Sequence, residues 1–117
     1  MRIRTPVDER ITLHVLRHPP SAGEAAEDAR EVERPRGALR EALGRADQEY
    51  RSVLREVKPV FYYGNATPTV MRIPRPTADR LRSSLRLRET VHGVWGPETV
   101  QHGDALYELW IQHQLCG

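Results

Sequence analysis

Six arginines fall within one short stretch: Arg72, Arg75, Arg80, Arg82, Arg86 and Arg88, with Asp79 as the single acid among them. A guanidinium stays charged at physiological pH and presents a planar fork of donors that matches phosphate and carboxylate oxygens. The run therefore suits a phosphate-binding surface. Tyr63, with Phe61 and Tyr62 beside it, is a candidate platform on which a base could stack. On a strand Tyr62 and Tyr63 would point to opposite faces, so only one of them could serve a given side. The plainer reading of the same residues is a solvated helix face at Arg80, Arg82 and Arg86 beside core aromatics.

The chain has 117 residues and a formal net charge of +2, which conceals an uneven distribution. Residues 1–57 balance eleven Arg against eleven acids. Residues 58–88 set Lys58 and six Arg against Asp79, a net of +6, and residues 89–117 carry only Glu89, Glu98, Asp104 and Glu108, a net of −4. Such blocks bear on binding and steering rather than on fold. They could equally neutralise one another, the acidic end folding back on the basic middle. Seventeen Arg against one Lys is also what GC-rich coding produces, so arginine content by itself is a discounted sign of nucleic acid.

Five His and one Cys are the remaining reactive side chains. His14 and His18 have a chelating spacing on a helix, but on a strand they stand about 13 Å apart. His113 and Cys116 could share a metal only with ligands from elsewhere, such as His92 or His102. With no C-x-x-C or H-E-x-x-H pattern, neither a metal nor a cofactor is expected. There is no G-x-S-x-G, no glycine loop to cradle phosphate and no paired carboxylates in an apolar context. The lone Cys116 leaves no intramolecular disulfide and suits a reducing compartment. No run approaches the ~18 apolar residues of a membrane span. The expectation is a cytoplasmic protein that does not contact membrane.

These residues must be held by elements that the pattern only partly specifies. Ile11 to Arg17 alternates as a half-buried strand with Ile11, Leu13 and Val15 on one face. Ser21 and Glu24 have capping-box spacing and predict a helix from about residue 22 to Glu33. Pro35 should kink or break it. The segment continues as a second helix whose stripe of Leu39, Leu43, Ala46, Tyr50, Val53 and Val57 recurs every three or four residues. Glu41 with Arg45 and Asp47 with Arg51 are i,i+4 pairs in the favourable order. Residues 59–63 and 67–73 read as a hairpin turning at Gly64-Asn65, with Pro68 marking an edge strand. Thr77 would cap a short helix from Ala78, residues 85–91 suit either strand or helix, and Asp104 would cap a C-terminal helix carrying Leu106, Leu109 and Trp110.

The fold class expected is thus a single α+β domain spanning residues 1–117. It would have a small, mostly antiparallel sheet covered by a long N-terminal helical segment, broken near Pro35, and a C-terminal helix. At 38% apolar residues its core should be modest, leaving surface that a second copy or a partner could complete.

Three functions compete. The leading one is a non-enzymatic binding or regulatory protein whose arginine surface at 72–88 engages nucleic acid or an acidic protein partner. The second is a structural or accessory subunit, forming a homodimer or larger assembly through Leu39, Leu43, Tyr50, Val53 and the C-terminal helix. The third is a small RNase-like toxin. The spacing of Leu81, Leu85 and Leu87, followed by Glu89-Thr90-Val91 and Trp95, resembles the helix-turn-helix of bacterial repressors. It departs from that pattern at Arg82, where a small residue is usual, and at Arg86, where the turn usually has Gly. The order of elements is similar to that of ribosome-dependent RNase toxins, which would implicate Tyr63, Arg72, Arg75 and His92.

Overall fold

The computed structural model describes residues 8–19 and 28–116 as an α+β fold with a mixed six-stranded sheet and three helices. The helix proposed from Ser21 lies largely outside the described residues. From residue 28 onward the chain forms a turn and a two-residue strand β2, Arg30–Glu31, where helix was expected. Pro35 is followed directly by α1, Gly37–Glu56. The chain leaves the helix at Val57, which is extended at ψ 156°, and the ring of Pro59 keeps Lys58 extended as well, at ψ 153°.

Strand β1, Asp8–Arg17, is central. It pairs antiparallel with β6, Ala105–Cys116, along its whole length, and with the short β3, Thr69–Arg72. Strand β5, Val94–His102, lies on the far side of β6. Its outer edge is shared by β2, which is parallel, and by β4, Glu89–Val91, which is antiparallel. The sheet is therefore mixed, and its order is β2-β5-β6-β1-β3.

Two expected elements are replaced. Residues 105–116 form a strand, not a C-terminal helix. Tyr107, Leu109 and Ile111 alternate toward the core, and Gly103-Asp104 is a two-residue loop joining His102 to Ala105, with Gly103 at φ +60°. Asp104 is a turn residue, not a helix cap. Residues 59–65 are not a strand either. Pro59 starts a 3-10 turn that passes into a one-turn helix α2, Tyr62–Asn65, where the Asn65 side chain donates to Phe61 O at 2.8 Å. Proline fits there because the first helical N–H needs no partner. Strand β3 consequently pairs with β1 instead of forming a hairpin with 59–63.

Helix α3, Arg75–Ser84, starts after Pro74 and is capped at Leu85, with Arg86 in the turn that follows. Leu87 N–H bonds to Arg82 O at 2.9 Å, and Arg86 has φ +51° in the left-handed position that glycine usually takes in such a cap. The chain then enters the β4–β5 hairpin, so the second helix of a helix-turn-helix does not form.

The apolar face of the sheet is Ile11, Leu13, Val15, Val100, Tyr107, Leu109 and Ile111. Onto it pack Leu39, Ala42, Leu43 and Ala46 of α1 and Ala78 and Leu81 of α3. Arg17, at the end of β1, ties α1 down by pairing with Asp47 and lying 3.9 Å over the Tyr50 ring. The helix-surface pairs read from spacing both form, Arg45–Glu41 at 2.7 Å and Arg51–Asp47 at 3.1 Å. A smaller cluster of Tyr50, Val53 and Tyr62 seats α2 against the end of α1.

No described helix is long and apolar enough to cross a membrane. The Tyr62 side chain is fully buried, and among the described residues its hydroxyl has no hydrogen-bond partner. Burial, with a smaller contribution from Glu49, pushes that hydroxyl up to about 12, so it stays protonated. Tyr62→Phe is therefore expected to unfold in urea at the same or slightly higher concentration than the parent, because no hydrogen bond is lost. Tyr62→Ala should lose about 3–5 kcal/mol by opening a cavity.

Candidate functional site

The β1–β6 register sets Ile11 opposite His113 and Glu9 opposite Leu115, which makes Glu9 and His113 diagonal neighbours on one face. Their side chains meet: His113 Nε2 lies 2.6 Å from Glu9 Oε1. The same carboxylate oxygen receives Arg75 from the first turn of α3 at 2.8 Å. One turn pair along the helix, Arg82 reaches His113 Nδ1 at 3.5 Å and also Asp79 at 3.3 Å. Its guanidinium lies 4.6 Å over the Trp95 ring, a cation–π contact. Arg72, on the edge strand, donates to the backbone oxygen of Glu9 at 3.4 Å.

Two open concavities flank this cluster. One, of about 460 Å³, is lined by Glu9, Arg72, Pro74 and Arg75. The other, of about 600 Å³, is lined by Glu89, His92, Trp95, His113 and Gln114. The Glu9–His113 hydrogen bond joins the two walls. His92 enters the second concavity from the two-residue loop between β4 and β5. That loop is pressed against β6: His113 N–H bonds to Gly93 O at 2.7 Å, and a Cβ on Gly93, at φ +77°, would lie 2.6 Å from His113 O.

Of the arginines singled out from sequence, Arg72, Arg75 and Arg82 converge on Glu9 and His113. Arg80 is five residues from Arg75, about 140° around the helix, and donates to Thr77 at 3.4 Å. Arg86 and Arg88 are exposed on the connection into β4. Tyr63 is not near them. It hydrogen-bonds His18 Nδ1 at 2.8 Å, past the opposite end of β1 from Glu9, and nine residues of extended strand span about 30 Å. Leu39, Leu43, Tyr50 and Val53 are buried against the chain's own core and offer no exposed seam. The other segment expected to mediate assembly is a strand inside the sheet.

Glu9 and Trp95 were not visible as site residues: Glu9 reaches His113 only through strand pairing across 104 positions, and Trp95 meets Arg82 only because the chain after α3 turns back as the β4–β5 hairpin. Among the described residues no three His, Cys, Asp or Glu side chains converge to hold a metal ion. His102 lies at the far end of β5, where it bonds Val32 O at 2.8 Å.

A second polar group occupies the other end of β1. His18 lies between Tyr63 and Glu108, the latter 3.5 Å away. Burial holds its imidazole below the usual range, partly offset by Glu108. Burial likewise raises the Tyr63 hydroxyl, helped by Glu108. On the sheet face opposite the helices, His14 stacks on Trp110 with ring centroids 5.1 Å apart and is also lowered by burial, partly offset by a side-chain hydrogen bond with Gln112.

No family model matches this chain, and no curated protein or solved structure shows a significant match to it.

His14 and His18 protonate less readily when folded than when unfolded. Their charging therefore favours the unfolded chain: stability should be full above the unfolded value of 6.5 and fall as pH drops below it. Urea midpoints measured from neutral to mildly acidic pH check the sign, and His14→Gln should flatten the decline. At the β4–β5 loop, Gly93→Ala is expected to cost more than about 1 kcal/mol. Gly103→Ala, at a positive φ but with open space for a Cβ, should cost less in the same unfolding assay.

Proposed function

We propose that this chain binds the phosphodiester backbone of nucleic acid through the arginine face that runs from β3 through α3 to β4. The observation that carries this reading is where compensating charge is missing. Two of the four C-terminal acids are engaged away from this face, Glu98 with Arg30 and Glu108 with His18. Glu89, the acid next to Arg88 in sequence, forms no ion pair among the described residues. Arg75 meets Glu9 and Arg82 meets Asp79. Arg86 and Arg88 are exposed, and among the described residues their side chains form no ion pair or hydrogen bond. A concentrated cationic surface of this kind attracts a polyanion and gains from release of its counterions.

Arg86 supplies a second support. Its left-handed φ of +51° is a conformation glycine adopts at no steric cost, while an L side chain there costs roughly 1–2 kcal/mol. An arginine kept at such a position is consistent with use of its side chain.

Fluorescence anisotropy with labelled single-stranded RNA and DNA tests the reading. The logarithm of affinity should fall linearly with the logarithm of salt concentration, by about 0.7 per phosphate contact on single strands. Arg88→Ala should weaken binding at all sequences alike and lower that slope by about one contact. Arg86→Gly should also weaken binding while leaving stability unchanged or higher by up to about 1 kcal/mol. Absence of binding at low salt would overturn the proposal. Equal competition by polyglutamate would overturn it in favour of an acidic protein partner.

A further inference from the structure

We infer that His113 and His92 form an acid–base pair that cleaves RNA at its own 2′-hydroxyl, an activity that rests on the phosphate-binding reading above. The Glu9 carboxylate can only accept, so a neutral His113 imidazole keeps its lone pair on Nδ1, the nitrogen 3.5 Å from Arg82. Nε2 then carries the proton and donates to Glu9 at 2.6 Å. Arg75 holds Glu9 in turn at 2.8 Å. The imidazole is thus oriented by a carboxylate that is itself clamped, with its basic lone pair turned away from that carboxylate, the arrangement of a positioned general base. The Arg82 contact lies at the outer limit of a hydrogen bond, so a phosphate oxygen can draw the guanidinium from Nδ1.

The lining of the concavity narrows the substrate. Glu89, His92, Trp95, His113 and Gln114 include no hydroxyl, thiol or amine, so the nucleophile is either water or a hydroxyl of the substrate itself, and only the second restricts cleavage to RNA. RNA carries such a hydroxyl beside every phosphodiester. His113 Nδ1 takes the proton of the 2′-hydroxyl as its oxygen bonds to phosphorus. The bond from phosphorus to the 5′-oxygen breaks, and that oxygen receives a proton from the imidazolium of His92. The products are a 2′,3′-cyclic phosphate and a free 5′-hydroxyl, with no net proton change. Arg82, beside Nδ1, is placed to neutralise charge building on the phosphate oxygens. His92 and His113 line the same concavity, and the loop that carries His92 is fixed to β6 by the bond from His113 N–H to Gly93 O at 2.7 Å.

The full chain is incubated, with a chelator present, with end-labelled single-stranded RNA and with an all-DNA strand of the same sequence, and binding is followed in parallel. Cleavage of RNA alone, cyclic-phosphate ends and a bell-shaped pH–rate profile are expected. His92→Gln, in an exposed loop, should lower the rate by about 10²- to 10⁴-fold and leave affinity within about twofold. His113→Gln should lose as much, and its unfolding midpoint shows whether it is folded. RNA that binds but stays intact would overturn this inference and leave the phosphate-binding reading standing. Cleavage unchanged in His92→Gln, or equal cleavage of DNA, would also overturn it. Failure to bind either strand would overturn the binding reading and this step together.

Discussion

The ladder between β1 and β6 is the interaction on which the rest of this structure depends. It joins the first and last described strands at the middle of the sheet and runs from Asp8 opposite Cys116 to Arg17 opposite Tyr107. One face of that ladder is the layer against which α1 and α3 bury their apolar sides, so neither helix has a seat until the two strands meet. Pairing so distant in sequence carries a large loop-closure cost before any core forms. The same register that builds the core sets Glu9 beside His113, so site and core share one origin.

Arginine does two kinds of work around this ladder. At one end Arg17 is half enclosed, pairs with Asp47 and covers Tyr50, fastening helix to sheet. At the other end Arg72, Arg75 and Arg82 surround a carboxylate and an imidazole at the mouth of two open concavities. The difference follows from surroundings, not residue type. Arg17 faces an acid on a helix already docked over it, whereas Arg86 and Arg88 emerge on an exposed connection and form no ion pair with a described acid.

Much of this was legible from local pattern, and the rest was lost for one reason. The alternation at Ile11, Leu13 and Val15 marked β1, the three-and-four spacing from Leu39 to Val53 marked α1, and Pro68 marked β3 as an edge strand, as its place at the end of the sheet order bears out. The segment from Leu106 to Leu115 has apolar residues on so many sides of a helical wheel that it mimicked a buried helix. Its twofold alternation at Tyr107, Leu109 and Ile111, and the Gly103-Asp104 loop before it, were the signals that favoured a strand. The Phe61-Tyr62-Tyr63 run has strand-like composition, but Pro59 fixed a helical turn ahead of it and no partner strand was at hand. With the C-terminal segment taken as a helix, nothing could place His113 next to Glu9. The misread element and the missed site are therefore a single error.

The outer strands have a consequence for how this chain meets copies of itself. On one side β3 offers only four residues between Pro68 and Pro74, and prolines cannot donate to an added strand. On the other, the edge of β5 is divided between a parallel pair of residues from β2 and an antiparallel stretch from β4, with a register shift between Trp95 and Glu98. A foreign strand meets no long, flat row of free backbone groups on either margin. Short, interrupted margins of this kind guard a sheet against edge-to-edge aggregation. Among the described residues, these margins present side chains more than free main chain to their surroundings.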